Sequence, residues 1–132
     1  MVGALVVAHG RLGRELLAAA RMIVGDLPHV AAVSIGWSDN VDSARAEIEK
    51  DLRAVDQGKG VLILTDMFGG TPSNVCMTLM QKDRVEIITG VNLPMIIKLA
   101  SQEENETAAT LARRVVDQGK GSITVASEVL MP

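Results

Sequence analysis

The sequence has 132 residues, with 13 basic and 16 acidic side chains and a formal net charge of −3. This length is typical of one domain that buries its own core, so we expect a single domain over residues 1–132. The basic residues are scattered, which excludes the concentrated positive patch that binding to nucleic acid or an anionic membrane surface needs. Cys76 is the one cysteine, which excludes an internal disulfide and fits a reducing cytoplasm. No run approaches the roughly 20 apolar residues of a membrane span, so we expect a soluble protein.

Apolar runs typical of buried strands alternate with segments of helical periodicity in the first half of the chain. The expected strands cover residues 3–8, 30–36 and 60–65. The expected helices cover residues 11–24 and 41–55, and the first of them stops at Gly25. His9 directly follows the first strand, and Asp66 directly follows the third.

The second half continues the same alternation. A helix opened by Pro72, with Thr71 as its N-cap, is expected to run to about Lys82. Asn92 and Pro94 predict a similar start for a short helix that ends near residue 100. The remaining segments are a strand at 85–89, a polar linker at 101–107, a helix at 108–118, a glycine turn at 119–121 and a terminal strand at 122–126.

This alternation with short connections predicts an α/β fold, a small doubly wound and mostly parallel sheet of order 2-1-3-4 with helices on both faces. The segment 122–126 is expected to add a C-terminal strand at an edge of the sheet. Doubly wound sheets bind ligands beyond the carboxyl ends of their strands, where the strand order reverses. His9 and Asp66 follow two such ends, on strands that this order makes neighbours.

His9 is a candidate nucleophile, because it lies at a strand end and Gly10 leaves room for another group to approach. The alternative is that His9 merely ends the strand. Asp66 could accept a hydrogen bond from one imidazole nitrogen, which fixes the tautomer and leaves the lone pair of the other nitrogen for attack. Such a carboxylate would also stabilise the imidazolium of a phosphohistidine. Alternatively, Asp66 makes a local turn bond.

The loop before the third helix contains two adjacent glycines, which allow backbone N–H groups to point at an anion. Gly69, Gly70, Thr71 and Ser73 are therefore candidates to bind a phosphoryl group without a metal or another cofactor. An ordinary glycine-rich turn is the alternative for this loop alone. A histidine, a carboxylate and such a loop at neighbouring strand ends together indicate phosphoryl chemistry.

The remaining candidates are weaker. Phe68 lies inside the glycine-rich loop and either packs locally or faces a partner. His29 follows Pro28 in an expected turn, so we expect it at the surface, whereas Cys76 lies on the apolar face of its helix and is expected in the core. No metal-binding set and no nucleotide-binding glycine motif is visible. A receiver domain needs acidic residues after its first strand, where His9 and Gly10 stand here.

Three blocks of the sequence occur together, in this order and spacing, in one known family. They are Val6-Val7-Ala8-His9-Gly10, then TDMFGGTPSN at 65–74, then Thr89-Gly90-Val91-Asn92-Leu93-Pro94-Met95. Over essentially the whole chain the sequence resembles the mannose-family IIA domain of the bacterial sugar phosphotransferase system. The resemblance implies a cytoplasmic carrier that accepts a phosphoryl group from HPr on His9 and passes it to a IIB protein, with an indirect link to the membrane through the sugar permease.

The same resemblance assigns roles to other residues. It implies that Asp66 is the partner of the histidine, that residues 69–73 line the phosphoryl site, and that the loop of Asn92 lies beside it. Asn92 and Phe68 are expected to face the partner proteins. Members of the family commonly form homodimers, in some cases by exchange of the C-terminal strand, here 122–126. No IIB domain follows in this sequence, so we expect a separate IIB protein or none.

Three other functions stay open at this point. A regulatory phosphohistidine protein, from a system that lacks a sugar permease, would have an identical site. The phosphoryl subunit of a dihydroxyacetone kinase resembles this fold and also uses a histidine after its first strand, but the Gly-Gly-Thr-Pro and Asn-Leu-Pro-Met blocks argue against it. A binding module without catalytic activity would remain if His9 accepts no phosphoryl group.

Overall fold

The computed structural model describes residues 1–36, 40–67 and 69–131, and for Pro72 the backbone alone. Four strands form one sheet of order β2-β1-β3-β4, and all three strand pairs are parallel. The predicted α/β class and strand order are therefore confirmed. In chain order the elements are β1 (Gly3–His9), α1 (Leu12–Val24), β2 (Val30–Ile35), α2 (Val41–Val55), β3 (Val61–Thr65), α3 (Thr71–Met77), β4 (Val85–Thr89), α4 (Leu93–Lys98), a 3₁₀ turn (Leu99–Ser101), α5 (Ala108–Gly121) and α6 (Ala126–Leu130).

Helices cover both faces of the sheet, because the central strands are apolar on both sides. Alternate residues of β1 and β3 contribute to two separate cores. One core joins Val6 and Leu64 to apolar residues of α1, α4 and α5. The other joins Val7 and Ile63 to apolar residues of α2 and α3, among them Cys76, which is fully buried as predicted.

Strand register brings the carboxyl ends of β1 and β3 to the same edge of the sheet. Val7 lies opposite Thr65 of β3, and His9 lies opposite Ile35 of β2. Asp66 follows Thr65, so the pairing of the two strands places Asp66 close to His9. None of the helices in the described parts of the chain is long and apolar enough to cross a bilayer.

Helix α3 is shorter than the predicted span to about Lys82, since it ends at Met77. After it, Gln81 and Val85 form an antiparallel bridge, and Asp83 has a positive φ of 64°. The chain therefore reverses direction over 82–84 to enter β4. A helix that continued to residue 82 would remove this reversal.

The C-terminal prediction is wrong in two respects. Helix α5 continues through the expected glycine turn to Gly121, since Gly119 is buried where the helix packs closely against Met95. The expected strand at 122–126 is not formed: residues 122–125 are irregular and α6 follows. No described strand pairs with this segment, although β2 and β4 are edge strands of the sheet. Helix α6 instead closes hydrogen bonds inside the segment, such as Met131 N–H to the Ser127 carbonyl at 2.9 Å.

The prediction that His29 lies at the surface is wrong, because this residue is only 3% exposed. It lies in the turn between α1 and β2, where the neighbouring Leu27 and Val30 are buried as well. Its Nε2 lies 3.1 Å from the Leu99 carbonyl oxygen. The turn is covered by the 3₁₀ segment after α4, an arrangement that a polar local sequence does not reveal.

Candidate phosphoryl-transfer site

Two hydrogen bonds join His9 to Asp66 at the carboxyl edge of the sheet. The Nδ1 atom of His9 lies 2.8 Å from Oδ2 of Asp66, and the backbone N–H of His9 donates to the same oxygen at 3.0 Å. The other carboxylate oxygen, Oδ1, accepts from the Met67 N–H at 3.0 Å. The carboxylate is held by backbone on both sides, so the imidazole ring is oriented by a group that cannot easily move.

The electrostatics of this pair favour an ionised carboxylate. Partial burial by itself would raise the pKa of Asp66, but the hydrogen bonds and charge of His9 together with the Met67 N–H lower it below its usual 3.8. An ionised carboxylate only accepts hydrogen bonds, so Nδ1 of His9 carries the proton that it donates. The lone pair of the neutral ring is then on Nε2, and the His9 side chain is 32% exposed.

Gly10 allows the chain to leave β1 directly after His9. Its φ of +55° lies in the left-handed region, which favours glycine, and no atom lies within 4 Å of where a Cβ would be. The Gly10 N–H still donates to the Ile35 carbonyl at 3.0 Å. His9 is therefore anchored in the sheet on both sides while its ring faces the open edge.

The glycine-rich loop begins α3 differently from the prediction. Gly70, not Thr71, is the N-cap, and no side chain caps this end of the helix. Thr71 is the first helical residue and is exposed. Ser73 is 1% exposed, and its Oγ bonds the backbone of Gly69 and Gly70 instead of facing the solvent. The backbone N–H groups of Gly70 and Thr71 have no hydrogen-bond partner among the residues that the structure describes.

Asn92 caps α4, as the sequence predicted, and ties this helix to α5. Its Oδ1 accepts from the Met95 N–H at 3.2 Å, and its Nδ2 donates to the Gly119 carbonyl at 3.1 Å. The polar atoms of this side chain are thus used within the fold, and its contact with a partner stays a prediction. The second partner-facing candidate, Phe68, lies outside the described residues.

Sequence reasoning missed three exposed apolar side chains at this edge of the sheet. Leu12, Val41 and Met67 are 45%, 57% and 55% exposed, respectively. Leu12 and Val41 begin the helices that follow β1 and β2, and Met67 follows Asp66. Their positions in the connections that follow strands were visible in the sequence, but their degree of exposure was not.

No group of three or more histidine, cysteine, aspartate or glutamate side chains that could hold a metal ion occurs within residues 1–36, 40–67 and 69–131. The described site offers an imidazole, a carboxylate and backbone N–H groups. This combination suits transfer of a preformed phosphoryl group between histidines, which needs a nucleophile and charge compensation.

Comparison with known proteins agrees with this class of site. Residues 3–116 match the EIIA-man family, described as "PTS system fructose IIA component". The chain is 32% identical over 129 residues to the PTS system mannose-specific EIIAB component of Escherichia coli. The alignment covers 92% of this chain but only 38% of that longer protein. It is 27% identical over 131 residues to the PTS system fructose-specific EIIA component of Bacillus subtilis, covering 98% of this chain and 90% of that one.

A solved structure supports the same assignment. The mannose/sorbose specific IIA subunit of the phosphotransferase system from Enterococcus faecalis superposes with a TM-score of 0.82 at 32% identity, covering 94% of this chain and 93% of that one. The chain belongs to the EIIA-man family of IIA components of the sugar phosphotransferase system. The chain spans only 38% of the length of the E. coli relative.

Proposed function

We propose that this protein is a phosphoryl carrier in which His9 accepts a phosphoryl group from phospho-HPr and passes it to a IIB component during sugar uptake. The observation that carries the proposal is the 2.8 Å contact between His9 Nδ1 and Asp66 Oδ2. Asp66 occupies Nδ1, so the phosphoryl group would be carried on Nε2.

In the first step, the Nε2 lone pair of His9 attacks phosphorus, an N–P bond forms, and the N–P bond of the donor histidine breaks. The donor imidazole leaves with its electron pair. His9 becomes a phosphorylated imidazolium whose proton stays on Nδ1, where the negative charge of Asp66 stabilises it. Transfer to the IIB component repeats the exchange with His9 as the leaving group.

The phosphoryl group itself brings about two negative charges, which need compensation at the site. We assign this role to the loop at Gly69, Gly70 and Thr71, where two backbone N–H groups lack partners within the described chain. Leu12, Val41 and Met67 surround the same edge and offer apolar contact to the protein partners.

Transport is favoured over the regulatory alternative by the relatives. They are named as mannose-specific, fructose-specific and sorbose-specific components, which are roles in the use of particular sugars. A carrier of this kind contacts protein partners rather than the sugar itself.

The proposal is tested by reconstitution. The protein is incubated with phosphoenolpyruvate, the first enzyme of the phosphotransferase system and HPr, and an acid-labile phosphate is sought on His9 by mass spectrometry. Omission of HPr is the control for direct phosphorylation. A wild-type protein that accepts no phosphate from several phospho-HPr proteins would leave the binding-module alternative standing.

We further propose that the protein is a homodimer that uses its C-terminal segment. Ile123, Leu130 and Met131 are 75%, 78% and 78% exposed, and every residue from 120 to 131 is exposed. An exposed apolar segment of this kind promotes aggregation unless another surface covers it. A second copy would cover the tail by packing against α6 and the irregular residues before it.

A further inference from the structure

One buried hydroxyl bridges the two glycine peptides of the loop after β3. Oγ of Ser73 accepts a hydrogen bond from the Gly69 N–H at 2.8 Å and donates one to the Gly70 carbonyl at 3.1 Å. Ser73 is 1% exposed, so water cannot take over either bond unless the loop opens. The single O–H donor of Ser73 is used inside the protein, so none is left for a ligand.

Gly69 depends on this bridge for its conformation. Its φ of +99° lies in the left-handed region, and no atom lies within 4 Å of where a Cβ would be. The Ser73 hydroxyl bonds the N–H of this left-handed residue and so stabilises its backbone conformation. The Gly70 carbonyl is held in addition by the Asn74 N–H at 3.0 Å, so its negative end is directed at two donors of α3.

We propose that Ser73 is a positioning residue of the phosphoryl site, which acts through the backbone of Gly69 and Gly70 and does not touch the phosphoryl group. It turns the Gly69 N–H and the Gly70 carbonyl inward and leaves the N–H groups of Gly70 and Thr71 for the phosphoryl oxygens. This role differs from the direct phosphoryl contact that the sequence suggested for Ser73, and it rests on the proposed carrier function.

The test compares the wild type with Ser73→Ala, which removes both bonds. Thr78→Val is the matched control, because the Thr78 hydroxyl bonds the Val75 carbonyl at the other end of the same helix, at 2.6 Å. We expect Ser73→Ala to slow transfer from phospho-HPr about tenfold with little change in KM, since misplaced groups cost rate more than binding. The ³¹P chemical shift of its phosphohistidine should also move, and the Gly69 amide should exchange faster with solvent. Thr78→Val should match the wild type in all three.

Each outcome decides the proposal. Unchanged transfer and an unchanged ³¹P shift in Ser73→Ala would overturn it, as would slower transfer while the Gly69 amide stays protected. Ser73→Cys, which keeps a similar volume but weakens both bonds, replaces Ser73→Ala in the same comparison if the latter fails to fold. Amide exchange of Gly69 needs no phosphorylation. A wild type that accepts no phosphoryl group would therefore defeat the carrier function, while the exchange measurement still tests how Ser73 holds the loop.

Discussion

The ring and the backbone of His9 bond the same oxygen of Asp66, with Oδ2 at 2.8 Å from Nδ1 and 3.0 Å from the backbone nitrogen. Because of these two hydrogen bonds, Asp66 fixes the position of the imidazole ring relative to the end of β1. A change at Asp66 should therefore affect the tautomer, the ring orientation and the end of β1 together.

Replacement of His9 by alanine should abolish phosphoryl uptake and preserve the fold. His9 lies at the carboxyl edge of the sheet and belongs to neither hydrophobic core, so its replacement leaves both cores intact. Uptake is measured by mass spectrometry after incubation with phospho-HPr, and folding by circular dichroism. Phosphate on His29 in either protein would contradict the assignment, because that side chain is buried.

Asp66→Asn should slow phosphoryl transfer without abolishing it. The amide keeps a hydrogen bond but offers no charge to the imidazolium; charge-assisted bonds contribute about 1.5–3 kcal/mol, which predicts transfer roughly ten- to hundredfold slower. Single-turnover transfer from phospho-HPr gives the rate directly. Asp26→Asn, an exposed aspartate in the turn before β2, is the control. Transfer at the wild-type rate by Asp66→Asn would remove the carboxylate from the mechanism.

The stabilising effect of Asp66 should depend on pH. Its pKa in the folded protein is lowered from the usual 3.8, so the folded state favours the carboxylate more than the unfolded state does. The contribution is fully present above 3.8 and is lost as the pH falls from there through the folded pKa. Chemical unfolding of wild type and Asp66→Asn should show a gap in unfolding free energy that narrows over this acidic range. A difference in unfolding free energy that widens toward low pH would contradict the lowered pKa of Asp66.

Cys76 should be unreactive in the folded protein. Burial raises the pKa of its thiol to about 12, so the thiolate is scarce even at mildly alkaline pH, and the side chain is also inaccessible. Alkylation followed by mass spectrometry should show no modification of the native protein and complete modification in denaturant. Rapid labelling under native conditions would mean that α3 opens readily.

Removal of residues 122–132 should weaken self-association and leave some phosphoryl uptake on His9. The deleted segment is exposed through residue 131 and carries the apolar side chains that we assign to the dimer, and neither His9 nor Asp66 belongs to it. Light scattering over a concentration series measures the oligomeric state. As a control, Met80→Ser changes another exposed apolar residue, 58% exposed, outside the segment. A truncated protein that stays fully dimeric would place the interface elsewhere.

Much of the fold follows from local patterns. The apolar run of β1, the exact span of α2 and the strand β4 were readable because burial on one or two faces imposes its own periodicity on a sequence. The pairing of His9 with Asp66 followed as well, because parallel strands connected by helices bring successive carboxyl ends to one edge.

The sequence by itself thus determined the fold class, the strand order and the contact between His9 and Asp66 at the candidate site. Tertiary structure decided the features that depend on residues distant in sequence. His29 is buried under the 3₁₀ turn, and Gly119 packs on Met95. The Ser73 hydroxyl bonds the glycine-rich loop and does not face outward. Periodicity records how much of each element is buried, but a polar side chain or a chain end takes its role from the particular group packed against it, and that group is distant in sequence.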